Sequence, residues 1–144
     1  TPARLLSLSD VYKRRIGAPL AAHGMSHSHA FVIGNGIPTI LLACGSFSPI
    51  TYLHLRLFEQ ARDYLRQHRP DLEVVAGVIS PVHDEYGKRF LVPSSDRLAM
   101  CRLAVHSSDW LMVDEWEAKQ RKWSRTREVL QHIETEANRD RPCT

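Results

Sequence analysis

A glycine turn that runs straight into a helix with a histidine in its first turn is suited to holding an anion. The stretch Gly45-Ser46-Phe47-Ser48-Pro49-Ile50-Thr51-Tyr52-Leu53-His54 has that form. Gly45 permits a tight turn and lets backbone N–H groups approach a ligand. Ser46 adds a hydroxyl, Pro49 restricts the chain ahead of the helix, and Thr51 can cap it. The unpaired N–H groups of the first helical turn and the positive end of its dipole favour a phosphate. His54 is placed to give that phosphate a stabilising hydrogen bond. It is not a general base of the Ser-His-Asp kind, because no nucleophilic serine elbow precedes it. It also shares a helix face with Leu57 and Phe58, so a core histidine is the competing assignment.

Positioning such a turn requires a strand before it and a packed helix after it. Thr39–Cys44 (TILLAC) is a short continuous apolar run, as in a buried parallel strand. His54, Leu57, Phe58, Ala61 and Leu65 then recur on one helical face, and Pro70 closes that helix. Glu73–Ile79 reads as a second strand, broken by Ser80-Pro81, with a polar loop over His83–Arg89. Ser94 or Ser95 is expected to cap a second helix whose inner stripe is Leu98, Cys101, Ala104 and Val105. Trp110–Val113 is a third strand. The spacing of Trp116, Gln120, Trp123, Arg127, Leu130 and Ile133 predicts a long helix from about Glu115, with Glu117 and Arg121 paired on its exposed side. The order β-α-β-α-β-α points to an α/β fold: a Rossmann-like doubly wound parallel sheet, first half only. In such sheets ligands sit beyond the carboxyl ends of the strands, which is where the glycine turn lies.

Composition narrows the function classes. The 144 residues suffice for one domain, and the formal charge is only +3. Residues 1–36 carry that excess through Arg4, Lys13, Arg14 and Arg15 against Asp10, so no basic face for nucleic acid is expected. No apolar run approaches the roughly 20 residues of a membrane helix. Three cysteines (Cys44, Cys101 and Cys143) without a C-x-x-C argue against a disulfide framework or a zinc site and for a reducing compartment. Residues 1–36 read as a flexible basic leader, 37–137 as the folded half-domain and 138–144 as a polar tail. The leader resembles a mitochondrial presequence in composition, although Met25 is an alternative start. Its His23, His27 and His29 could share a metal or be an incidental cluster.

Several collinear blocks carry a family resemblance: Gly45–Leu65, with Thr51-Tyr52-Leu53-His54 as a T-x-x-H signature, Ile79–Lys88 (ISPVHDEYGK), Ser107–Trp110, Val113–Glu117 and Trp123–His132 (WSRTREVLQH). Over about residues 38–134 the chain resembles the eukaryotic nicotinamide mononucleotide adenylyltransferases of the nucleotidyltransferase superfamily. The resemblance implies transfer of AMP from ATP to nicotinamide or nicotinate mononucleotide, giving NAD (or its acid analogue) and pyrophosphate, with Mg2+. It implies that Gly45, Ser46 and Phe47 line the phosphate and nicotinamide region. His54, the catalytic candidate, would contact ATP phosphates beside Thr51. Lys88 would reach the mononucleotide phosphate, Trp123 would stack on the nicotinamide ring, and Thr126 would bond its amide. Read from the residues alone, Lys88 could be merely solvated, and Trp123 and Thr126 could merely pack. An intracellular site (nucleus, cytosol or mitochondrion) and a possible homo-oligomer of the full-length form follow from the same resemblance. The alternatives are another nucleotidyltransferase of the superfamily, making a coenzyme A or lipid head-group precursor, and a non-catalytic nucleotide-binding or chaperone-like isoform.

The chain departs from the family pattern at two points. Ser48 stands where family members commonly have Asn. The second family signature, an I-S-S-T-x-x-R-like stretch that supplies an arginine for the ATP phosphates, and a G-x-D segment that holds the adenosine are not in the sequence. The chain is therefore expected to be a fragment, a truncated isoform or an incomplete gene model, with its first strand exposing an apolar edge. As it stands it should bind nucleotide weakly at most. Turnover of ATP with the mononucleotide, at the rate of a full-length family member, would overturn that expectation.

Overall fold

The computed structural model describes residues 36–139. The leader histidines, Cys143 and the end of the polar tail lie outside the described residues. Strand β1 (Ile37–Gly45), helix α1 (Tyr52–His68), β2 (Leu72–Pro81), α2 (Ser94–Val105), β3 (Leu111–Val113) and α3 (Thr126–Asn138) follow one another in the expected alternation. The strands form one parallel sheet in the order β1-β2-β3. Gly45 lies opposite Pro81, and Val113 opposite Ile79, so all three carboxyl ends meet on one side.

The central strand carries the core. Val75, Ala76, Val78, Ile79 and Ser80 are all buried, as a strand covered on both faces requires. Alternation along β1 and β2 divides the apolar residues between two layers. Ile79, with Leu41 and Ala43 beside it, packs with Phe47, Phe58, Cys101, Val105, Trp110 and Leu111 beneath α1 and α2. Val78, with Ile40, Leu42 and Cys44, packs against Val129 and Ile133 of α3 on the opposite face. Helices on both faces make this the start of a doubly wound sheet.

Several expectations need correction. No helix begins at Glu115. A short 3-10 turn, Glu117–Lys119, is followed by extended backbone at Gln120, and α3 opens only at Thr126. The helical spacing of Trp116, Gln120 and Trp123 therefore arises in a loop folded over the sheet. Glu117 is not on an exposed face paired with Arg121. It is 2% exposed and accepts a 2.7 Å hydrogen bond from the Ser80 hydroxyl. Ser80-Pro81 does not break β2, because both residues continue the pairing with β1 at a position where proline's missing N–H is tolerated. The N-cap of α2 is Pro93, and the Ser94 hydroxyl donates instead to Asp84 Oδ2.

Strand β1 has one strand neighbour among the described residues, and it is half-buried along nearly its whole length. Leu57, expected on the inner stripe of α1, is 56% exposed, and Phe58 is the only residue of that helix that is fully buried. Leu57 and Ala61 instead line an open apolar groove of about 230 Å³ that α1 forms with Leu41, Leu42 and Ala43 of β1. Among the described residues β1 is thus a sheet edge whose apolar side chains are partly covered.

Gly77 shows how tightly the first layer is packed. A Cβ there would fall 2.5 Å from Leu111 Cδ2 and 2.8 Å from the Phe58 ring. Gly77→Ala should therefore lower stability by about 2 kcal/mol in urea unfolding, the usual cost of overpacking a filled core. A neutral substitution would show that the α1–β2 contact is loose.

Candidate functional site

The loops that leave the carboxyl ends of β1 and β2 are tied into one body. Behind Gly45, Phe47 takes a left-handed backbone (φ 43°), and the Ser48–Pro49 peptide is cis. Phe47 is buried, with its ring against Gly45. A Cβ on residue 45 would lie 3.2 Å from that ring, so any side chain there would press on Phe47. The Ser48 hydroxyl accepts the Val92 N–H at 3.1 Å. Serine at this position thus retains a structural hydrogen bond.

His54 is held by the helix start itself. Thr51 is the N-cap of α1, and its backbone N–H donates to His54 Nδ1 at 3.0 Å while its hydroxyl lies 2.8 Å from the same nitrogen. With Nδ1 engaged as acceptor, the ring proton belongs on Nε2. Nε2 has no hydrogen-bond partner among the described residues. The ring meets Phe47 edge-to-face at 5.3 Å and lines the mouth of the apolar groove. His54 is only partly buried, so its ring is not a satisfied core histidine. It presents a fixed N–H donor at an α-helix N-terminus.

Lys88 arrives from the second loop. Its Nζ donates to Ser46 Oγ at 2.9 Å, which brings together two of the residues singled out in the sequence. The preceding 3-10 turn, Asp84–Tyr86, ends in Gly87 with φ 78°, a left-handed position suited to glycine. Its N-cap is His83, whose Nδ1 accepts the Glu85 N–H at 3.1 Å.

Beneath both loops lies a residue that sequence reasoning missed. Arg97 is fully buried. Its Nε donates to the Val92 carbonyl at 2.6 Å and its Nη1 to the Ser46 carbonyl at 3.0 Å. Its Nη2 donates to the Val82 carbonyl at 2.8 Å and to Asp84 Oδ1 at 2.7 Å. Burial works to raise the Asp84 carboxyl, but the hydrogen bonds from Arg97 and Ser94 outweigh it and hold the group below its ordinary value. The sequence did carry a signal: Arg97 stands four residues before Cys101 and eight before Val105, in phase with the buried stripe of α2.

Trp123 and Thr126 belong to the third region. Trp123 lies in the loop before α3, with its side chain 43% exposed, and its backbone N–H donates to Glu85 Oε2 at 3.4 Å. That bond links the Trp123 loop to the Lys88 loop. Thr126 is the first residue of α3 and is exposed. The turn starts there because Glu128 reaches back to accept the Arg125 N–H at 2.6 Å. An open cavity of about 640 Å³ separates this loop from α3, lined among others by Trp116, Trp123, Arg121 and Lys122.

The Trp123 loop is anchored through buried carboxyl groups. Burial raises Glu117 above the ordinary carboxylate range and Asp114 adds to the effect, while the Ser80 hydroxyl opposes it. Burial also raises Asp114, with His132 opposing at 3.5 Å. His132 in turn stacks on Trp116 at 4.5 Å. Beside them the Cys44 thiol is pushed up to about 11, by burial first and by Glu117 second, which makes it a poor nucleophile.

Comparison with known proteins places the chain by similarity. Residues 42–139 match a family model described as cytidylyltransferase-like. A protein of Danio rerio named nicotinamide/nicotinic acid mononucleotide adenylyltransferase 2 is 56% identical over 93 residues, which is 65% of this chain and 30% of that protein. Proteins of Schizosaccharomyces pombe and Saccharomyces cerevisiae with names of the same form are each 52% identical, over 73% and 71% of this chain and 28% and 26% of their own lengths. The chain thus spans less than a third of the relatives it matches.

The raised Glu117 carboxyl makes a pH prediction. Because its folded pKa is raised, its contribution to stability is present below the unfolded value and is lost as pH rises through the folded value. Glu117→Gln keeps an acceptor for Ser80 and removes the charge. Its melting temperature should match wild type near about pH 4 and exceed it increasingly toward about pH 7. A constant difference across that range would show that Glu117 titrates normally.

Proposed function

Since the chain belongs to the cytidylyltransferase-like family, we propose that it forms the N-terminal half of a nucleotidyltransferase domain that joins AMP from ATP to nicotinamide or nicotinate mononucleotide, releasing pyrophosphate. The observation that carries this reading is the Lys88–Ser46 contact across 42 residues of sequence, beside a helix N-terminus that holds His54 Nε2–H as a donor. Nucleotidyl transfer depends on positioning and charge neutralisation more than on covalent chemistry, and these groups are of that kind.

In this reading the ATP phosphates lie at the start of α1. The first-turn N–H groups and His54 Nε2–H donate to phosphate oxygens, and the bond becomes stronger as charge develops on the departing pyrophosphate. Thr51 fixes the tautomer that makes His54 a donor. Gly45 and Ser46 supply the close backbone approach, and Phe47 acts as the buried wall that sets their path. The Lys88 ammonium leaves Ser46 for the mononucleotide phosphate, bringing the nucleophile toward the α-phosphorus. Trp123 offers an exposed indole face to the nicotinamide ring, and Thr126 offers a hydroxyl to its substituent. Among the described residues no three His, Cys, Asp or Glu side chains cluster to hold a metal. Mg2+ would therefore be carried on the triphosphate and water oxygens, where it neutralises phosphate charge.

The test, on a longer protein that carries this half-domain, is dinucleotide formation from ATP, Mg2+ and either mononucleotide, with pyrophosphate as the second readout. His54→Ala should lower kcat by roughly a hundredfold with little change in KM for the mononucleotide. Lys88→Ala should chiefly raise that KM. Release of pyrophosphate with a pantetheine or choline phosphate acceptor, and none with the mononucleotides, would replace this reading with another member of the superfamily.

A further inference from the structure

The link between the Lys88 loop and the Trp123 loop is a carboxylate, and it stands beside the surface on which an aromatic substrate would rest. Glu85 Oε2 accepts the Trp123 backbone N–H at 3.4 Å. The Glu85 N–H is held by His83 Nδ1 at 3.1 Å, so the residue starts from a fixed turn. His83 Nδ1 is 3.8 Å from Glu85 Oε2. A nitrogen already accepting the Glu85 N–H carries no proton, so this contact does not neutralise the carboxylate. The Glu85 side chain remains 63% exposed and can face a ligand as well as the backbone.

From these contacts we infer that Glu85 is a specificity-determining residue that favours the amide over the acid form of the mononucleotide. The inference rests on the reading of Trp123 as the stacking surface. A group bonded to the Trp123 N–H lies within about 10 Å of anything stacked on the indole of the same residue. A carboxamide in that space is uncharged and is not repelled. A carboxylate brings a like charge. At such a distance, in a partly solvated site, the repulsion corresponds to roughly a three- to tenfold difference in affinity.

The other charges around the site set the balance. Lys88 is directed to Ser46 and the phosphate end. Arg121 and Lys122 line the cavity next to Trp123 and would favour the acid. Both are exposed, with long stems that keep their charged ends in water. Glu128 also lines that cavity but is tied to the Arg125 N–H, whereas Glu85 is tethered at Trp123 itself.

The experiment is a titration of the protein with nicotinamide mononucleotide and, separately, nicotinate mononucleotide, followed by NMR up to millimolar concentration. It is run on wild type, Glu85→Gln and Lys88→Ala. Glu85→Gln keeps an oxygen for the Trp123 N–H and removes the charge. It should tighten the acid mononucleotide by roughly three- to tenfold and leave the amide within about twofold. The wild-type preference should also shrink as salt is raised, which a purely structural role for Glu85 would not produce. Binding of both ligands, weakened alike by Lys88→Ala, with a ratio that Glu85→Gln does not move, overturns the inference and leaves the site reading intact. No binding of either mononucleotide, or binding indifferent to Lys88→Ala, overturns the site reading and the inference with it.

Discussion

The Arg97 guanidinium holds the site end of the molecule together. A planar cation with donors in a fixed fork is among the few side chains that can satisfy three carbonyls and a carboxylate from one buried position. The carbonyls belong to Ser46, Val82 and Val92, and the carboxylate to Asp84. Ser46 follows β1, whereas Val82, Asp84 and Val92 belong to the segment between β2 and α2. Two polar loops that would otherwise move independently are thereby fixed relative to each other. Lys88 can meet Ser46 because the backbones beneath them are already joined. A lysine, with one charged point on a flexible stem, could not reach all four acceptors.

In the proposed function, the same arrangement would let a phosphate-handling surface be built from so few charged groups. The Thr51–His54 capping box does two tasks at once. It satisfies donors of the helix terminus, and it settles which imidazole nitrogen carries the proton. The remaining attraction for anions comes from helix N–H groups and one ammonium, neither of which has to be buried as an unpaired charge. The buried carboxyls lie elsewhere, under the Trp123 loop. There Glu117 and Ser80 pin the chain to the end of β2, and the Trp116–His132 stack pins it to α3. Polar groups inside the protein thus hold loops, while the groups facing solvent at the strand ends are the ones available to a ligand.

On the far side, β1 keeps an apolar groove beside α1. Leu41, Leu42 and Ala43 of the strand and Leu57 and Ala61 of the helix line it. His54 stands at the mouth of that groove as well as at the helix N-terminus, so the start of α1 and the edge of the sheet are one continuous surface. This is why His54 shares a face with apolar residues without being buried by them.

The sequence by itself determined the alternation of three strands and three helices, the parallel sheet, and the placing of Gly45 and Ser46 after β1 and of Thr51 and His54 at the start of α1. These follow from local periodicity and from capping and turn chemistry, which act over a few residues. Only the tertiary structure decided that residues 115–125 form a loop and not a helix, because there the helical spacing of Trp116, Gln120 and Trp123 competes with burial of Glu117 against Ser80, a contact 37 residues distant. Only the tertiary structure made Arg97 a tie between loops, since its partners lie up to 51 residues away and no local pattern names them. The Lys88–Ser46 and Glu85–Trp123 contacts are of the same kind. Periodicity reports which face of an element is covered. The partner that covers it is chosen by the folding of the whole sheet, which brings remote polar groups within hydrogen-bond distance and out of water.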